Sequence, residues 1–335
     1  MRGLRLTTFE ATRAPERPFK RPTAENPVCR KQSASGHARG VALFDGERPD
    51  VLVLGGGGLL GEAWMTGVLA GLEAGTGAEL TRCRAWVGTS AGSIVAAGLA
   101  AGRRPRRAAA PPAAEARTPL KASAGASLVR RAGRAAAGVA ALGAPAGLSA
   151  LGPGGARARA LVLGRIPDGK RSLRALEGEV GRWGPSWEGL RVCTVERDTG
   201  RRVVFGSTGA PEARVGTAVA ASCAIPGVFA PVRIGGRAYV DGGAWSATNA
   251  DAAPAGRGDR VLVLEPTAVL LRGALRAAGA VEALALRRRG ARVTLVAPEP
   301  AAARLMASLM RPDEGERVLS AGWAQGLALA GHPDV

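Results

Sequence analysis

Apolar and polar positions first fall into a regular order at Asp50. Val51–Leu54 is an unbroken aliphatic run closed by four glycines, and apolar residues then recur at helical spacing over residues 61–74. A short apolar run closed by glycine predicts a strand buried on both faces, followed here by a helix. The alternation repeats: AWVG (85–88) predicts a second strand and AGSIVAAGLAAG (91–102) a second helix. Residues 103–160 break the order. They are rich in Arg, Ala, Pro and Gly, with weak amphipathic pieces around 128–142, and predict a low-complexity insert or lid. Order returns near Leu173. LRVCTVE (190–196) and RVVF (202–205) are β-rich and separated by Asp198-Thr199-Gly200, which predicts a hairpin. PEARVGTAVAASCAI (211–225) predicts a helix stopped by Pro226, and VRI and RAYV flank Gly235-Gly236 as a second tight hairpin. RVLVLEP (260–266) and ARVTLVAP (291–298) predict further buried strands, each followed by helix. Strands alternating with helices predict an α/β protein: a mostly parallel central sheet covered by helices on both faces.

Composition changes this picture in two places. Hydrophobic residues make up 46% but aromatics 4%, so the core has to be built from Ala, Val and Leu. The formal net charge of +19 is unevenly placed: residues 1–40 carry +6 and residues 101–160 carry +10, leaving +3 for the rest. Two basic segments therefore flank a nearly neutral body. Such segments suit an anionic membrane surface, or stay solvated. Residues 1–48 show no periodic pattern and are expected to form a disordered basic leader without a signal-peptide core. Residues 135–156 are uncharged but too rich in Ala, Gly and Pro for a membrane span. Cys29, Cys83, Cys193 and Cys223 are scattered without a CxxC spacing, so buried free thiols, no metal site and a cytoplasmic setting are expected.

The candidate chemistry lies where strands turn into helices. GGGLLG (56–61) satisfies GxGxxG through Gly56, Gly58 and Gly61. A dinucleotide site also wants an acidic residue at the end of the second strand to hold a ribose. That strand instead runs into Gly88-Thr89-Ser90-Ala91-Gly92, a GxSxG motif. Such a turn projects a serine hydroxyl from the sheet edge beside a helix N-terminus; the plainer alternative is Ser90 as a helix cap. A nucleophilic serine needs a base. The two histidines, His37 and His332, lie outside any regular element, although the order Ser90, Asp241, His332 matches that of α/β hydrolases. A carboxylate is the better candidate. Asp241 ends the β-run of YVDGGAWSATNAD (239–251) and precedes two glycines; its alternative reading is an ordinary turn aspartate. Asp251, with Thr248 and Asn249, suits the opening of the next helix better. Two other functions compete: a nucleotide-binding oxidoreductase using GGGGLLG, disfavoured by the missing acid, and a catalytically weak basic membrane-associated protein.

GGGGLLGEAWMTGVLAGLE (55–73), GTSAGSIVAA (88–97), AASCAIPGVFAPV (220–232) and DGGAWSATNAD (241–251) together resemble the patatin-like phospholipase family, in family order over roughly residues 50–300. The resemblance implies a three-layer α/β/α fold and a lipid acyl hydrolase working through a Ser–Asp dyad without histidine. Ser90 maps to the nucleophile, Asp241 to the base and Gly56, Gly57 and Gly58 to the oxyanion hole, with Gly88 and Gly92 framing the nucleophile turn. Leu60 stands where the family often has a basic residue. The implied organisation is the leader 1–48, a catalytic domain 49–300 containing the insert 103–160, and a helical segment 301–335 packing on that domain. A lipid or acyl-ester substrate and peripheral contact with anionic membrane are expected, with no cofactor and no nucleic acid.

Overall fold

The computed structural model describes residues 48–106, 148, 155–268, 274–307 and 312–332. The expectations for the leader, and for most of the insert including 128–142, lie outside the described residues. Among the described residues, eight strands form one sheet. In chain order they are β1 (Val51–Leu54), β2 (Ala85–Thr89), β3 (Leu190–Glu196), β4 (Arg202–Phe205), β5 (Val232–Ile234), β6 (Arg237–Asp241), β7 (Arg260–Leu264) and β8 (Arg292–Val296). The pairs β8–β7, β7–β1, β1–β2 and β2–β3 are parallel, and β4, β5 and β6 add antiparallel pairs at the β3 end.

Alternation along the strands divides the core into two layers. Leu52, Leu54, Val192, Leu262 and Leu264 face one side of the sheet, where they meet Leu60, Trp64, Val68, Ile94 and Val219. Those residues belong to helices α1 (Gly58–Thr76), α2 (Ala91–Ala100) and α5 (Val215–Ser222). Val51, Val53, Val87, Cys193, Val261 and Val263 face the other side, under Ala250, Ala252, Ala255 and Leu286. Leu286 lies on α6 (Ala274–Arg288). The fold is thus a three-layer α/β/α arrangement around a mostly parallel sheet. The remaining α-helices among the described residues are α3 (Ala156–Arg165), α4 (Arg174–Arg182), α7 (Pro300–Leu305) and α8 (Gly315–Leu329). No helix among the described residues is long and apolar enough to cross a membrane.

One helix pair packs backbone to backbone. A Cβ on Gly67 or Gly71 of α1 would stand 2.2 or 2.3 Å from the carbonyl oxygens of Leu319 and Trp323 on α8. A Cβ on Gly322 or Gly326 would meet the carbonyls of Trp64 and Val68 at 2.5 and 2.2 Å. Glycine every fourth residue on both helices lets their axes approach closer than ordinary side chains allow. The buried Trp64 indole also donates to Gln325 Oε1 at 2.9 Å, and Gln325 Nε2 donates to the Ala297 carbonyl at 2.8 Å.

Several predicted boundaries move. α1 begins three residues before the expected 61, because Gly58 takes a left-handed φ of 58° and turns the chain at once into the helix. α5 is shorter than the expected 211–225. Residues 211–214 remain non-helical, and the helix is capped at Cys223, before the residue preceding Pro226. α3 starts at Ala156, inside the segment 103–160 expected to be a low-complexity insert or lid.

Candidate active site

The β3 strand explains how two residues 151 positions apart come together. Val192 and Cys193 pair with both β2 and β4, so those two strands occupy opposite edges of β3. Thr194 and Val195 pair with both β4 and β6, so β6 lies on the same edge as β2. β2 ends with Thr89 opposite Cys193, and the antiparallel β6 ends with Asp241 opposite Thr194. The two strands therefore run head to head and deliver Ser90 and Asp241 to one point.

Ser90 holds φ 52° and ψ −124°, a region that a residue with a side chain rarely adopts. Such a conformation costs on the order of 1–3 kcal/mol and persists where its surroundings enforce it. Here they do. The Ser90 N–H donates to Ser222 Oγ at 2.9 Å, and that hydroxyl donates to the Cys193 carbonyl at 2.7 Å. Ser93 Oγ donates to the Ser90 carbonyl at 2.6 Å. The flanking glycines permit the turn: a Cβ on Gly88 would be 2.4 Å from Ser93 Cα, and one on Gly92 would be 2.0 Å from the Leu54 carbonyl oxygen.

Asp241 is 2% exposed. Burial pushes its carboxyl up from 3.8 to about 6, offset in part by hydrogen bonds from the Gly243 N–H and the Ser90 hydroxyl. The Gly243 bond measures 2.7 Å. Gly242 allows the chain to leave the strand, since a Cβ there would stand 2.3 Å from the Cys193 carbonyl oxygen. On α1, Glu62 is also buried, and burial raises its carboxyl to about 7 against the opposing pull of Arg106.

The glycine loop sits beside Ser90, because β1 and β2 are adjacent parallel strands whose carboxyl ends share one sheet edge. Its three expected donors are not equivalent. The Gly56 N–H donates to the Ala247 carbonyl at 2.8 Å. A Cβ on Gly56 would stand 3.5 Å from Ser90 Cβ, so this glycine leaves room above the serine. The N–H groups of Gly57 and Gly58 have no acceptor among the described residues. They open α1, where first-turn N–H groups lack helical partners and the helix dipole favours negative charge.

The other candidates separate from the site. His332 lies past α8, with its ring near Gly75 in the last turn of α1. At 1.5 Å per residue, Gly75 is about 25 Å along the helix from Gly58. Asp251 is engaged in a bidentate pair with Arg202, at 2.5 and 2.7 Å. Cys83, Cys193 and Cys223 are free and buried, and burial raises the thiols of Cys83 and Cys193 to about 12. Cys29 lies outside the described residues. Among those residues, no group of His, Cys, Asp and Glu could hold a metal ion.

Three supporting residues escape a sequence reading. Asn249, fully buried with φ 52°, donates through Nδ2 to Thr89 Oγ1, Gly242 O and Ser246 O, tying the ends of β2 and β6 together. Ser222 braces Ser90; its signal was a polar residue in the otherwise apolar AASCAI run. Arg159, inside the expected low-complexity insert, is fully buried and donates to Ala244 O at 2.8 Å and Gly200 O at 2.9 Å, with its guanidinium over Trp245.

A glycine loop and a GxSxG turn thus lie side by side on the carboxyl edge of a mostly parallel α/β/α sheet. Residues 52–254 match the model of the patatin-like phospholipase family, a family of lipid acyl hydrolases, and the chain belongs to that family. A search of curated proteins gave no match. Among solved structures, the chain is similar to VipD from Legionella pneumophila, at 14% identity and a TM-score of 0.38, covering 85% of this chain and 67% of that one.

Proposed function

We propose that the protein is a serine carboxylic-ester hydrolase acting on lipid acyl esters through a Ser90–Asp241 dyad. The observation that carries the reading is the meeting of Ser90, held at a strained turn, with the buried Asp241 carboxyl where β2 and β6 end head to head. Ser90 Oγ attacks the acyl carbonyl carbon while its proton passes to Asp241. The carbonyl π pair moves to oxygen, and the Gly57 and Gly58 N–H groups receive that oxyanion. The intermediate collapses to an acyl-enzyme as Asp241 returns the proton to the departing alkoxide. Water then enters by the same route: Asp241 takes its proton, hydroxide attacks the acyl carbon, and Ser90 leaves as the hydroxyl. Burial makes Asp241 a stronger base than a solvated carboxylate, which is what a dyad without histidine requires. Each oxyanion donor typically contributes about 10²–10³ in rate.

The test is fluorophosphonate labelling together with hydrolysis of a short-chain p-nitrophenyl ester. Wild type is expected to label and turn over. Ser90→Ala is expected to do neither while keeping its circular dichroism spectrum. Labelling that survives in Ser90→Ala, or turnover near the wild-type rate, overturns the assignment. The reading extends to peripheral contact with anionic membrane, supported by the +16 carried by segments 1–40 and 101–160. Each basic residue near such a surface contributes about 1 kcal/mol, screened by salt. Binding to phosphatidylglycerol vesicles that does not weaken as salt rises would count against that extension.

A further inference from the structure

The sheet face opposite α1 and α2 carries an open cleft of about 310 Å³, with Arg191, Arg202, Arg289, Ser207 and Asp251 among its lining residues. Arg191 and Arg202 reach it from neighbouring strands. Arg191 on β3 sits opposite Val87, and Arg202 on β4 lies two residues before Val204, which packs on the same face. Arg289 follows α6 and closes the third side.

The charges in the wall do not balance. Asp251, the one acid in the lining, is engaged by both Nη atoms of Arg202. Arg191 donates Nη1 to the Ala252 carbonyl at 2.8 Å, and Arg289 donates Nη1 to the Asp251 carbonyl at 3.2 Å. The remaining N–H groups of Arg191 and Arg289 reach no acceptor among the described residues. Two guanidinium groups thus face one cleft with their planar forks unfilled. Burial disfavours the charged form of Arg191, and the nearby Arg84 is itself paired with Asp259 at 2.7 Å. A guanidinium fork matches the oxygens of a phosphate two at a time, in charge-assisted hydrogen bonds.

We propose that this cleft is a second site, binding a phosphate-bearing anion between Arg191 and Arg289, with Arg202 fixed as its back wall by Asp251. The site is separate from the ester chemistry and does not require it. Arg202 also donates Nη1 to Asn249 Oδ1 at 3.2 Å, so the wall rests on the residue that ties the ends of β2 and β6 together.

The test is calorimetric titration of the full chain with inorganic pyrophosphate at physiological chloride. Wild type and Ser90→Ala are expected to bind at one site with equal affinity. Arg191→Gln combined with Arg289→Gln is expected to weaken binding at least tenfold. A charge-matched control, Arg174→Gln with Arg233→Gln, removes two exposed arginines elsewhere and is expected to leave it unchanged. Arg289→Gln alone, at an exposed position whose side chain makes a single hydrogen bond, is expected to weaken binding at least threefold without altering the unfolding midpoint. Absence of saturable binding, or equal weakening in the control pair, overturns the proposal. Co-sedimentation with vesicles containing phosphatidic acid separates the two sources of such an anion. Pyrophosphate-competed binding that depends on Arg191 and Arg289 assigns a lipid headgroup; vesicle binding indifferent to both substitutions assigns a soluble phosphate.

Discussion

Replacing Asp241 with Asn should inactivate the protein and stabilise it, and the size of the second effect follows from the site. The carboxyl is raised from 3.8 to about 6 because burial disfavours its charged form. Its folded value exceeds its unfolded value, so the folded state binds the proton more tightly. The stability this contributes is complete below pH 4 and is lost as pH rises through about 6. Roughly two pKa units correspond to about 3 kcal/mol lost by neutral pH. Asn carries no charge and escapes that loss. Its Oδ1 can still accept from the Gly243 N–H, as the Asp241 oxygen does at 2.7 Å. The bond is then no longer charge-assisted, which costs about 1 kcal/mol. Asp241→Asn is therefore expected to be about 2 kcal/mol more stable than wild type at pH 7.5, a rise of roughly 4–8 °C in midpoint for a domain of a few hundred residues. At pH 4.5 the advantage should vanish or reverse. Urea unfolding of both proteins at the two pH values is the assay, and Glu62, present in both, cancels in the difference. Ester hydrolysis should fall by about 10²–10⁴. An Asn variant less stable than wild type by the same amount at both pH values would refute the idea that burial holds this carboxyl against ionisation.

Further outcomes check the rest of the site. Gly56→Ala should fold normally, since its Cβ would meet Ser90 Cβ at 3.5 Å, yet lose about tenfold or more in kcat/KM because that methyl stands over the proposed nucleophile Ser90; activity within twofold of wild type means the acyl group approaches from another side. His332→Ala should leave ester hydrolysis unchanged, as the ring sits by Gly75 at the far end of α1; its loss of activity would replace the dyad with a triad. The kcat/KM profile should rise through about pH 6 as Asp241 ionises. That limb should persist in Glu62→Gln, whose parent carboxyl titrates near 7; a limb that disappears with Glu62 reassigns the base.

The elements that could be read from the sequence are those whose cause is local. β1 and its glycine turn, the Gly88-Thr89-Ser90-Ala91-Gly92 turn and the Asp241-Gly242-Gly243 strand end each carry their reason within a few residues. Their meeting was not local. It depends on β2 and β6 sharing one edge of β3, a register that no single segment encodes. The same limit explains Gly56, whose N–H direction is set by a carbonyl at Ala247, and Asn249, which resembles a turn residue until its three acceptors are assembled around it. Arg159 was hidden for a different reason: in a segment dense with arginine, composition gives no sign of which guanidinium is buried.

The glycine contact between α1 and α8 has a consequence in time. Gly57 and Gly58 open α1, yet the surface that clamps this helix is supplied by Gly322 and Gly326. β1, just before it, also waits for β7 at Arg260–Leu264 to cover its second edge. During synthesis at roughly 5–20 residues per second, the glycine loop emerges about 10–50 s before α8 does. The segment that would hold a reaction's negative charge is thus made well before the helix that fastens it, and the nascent chain carries the loop unclamped through that interval.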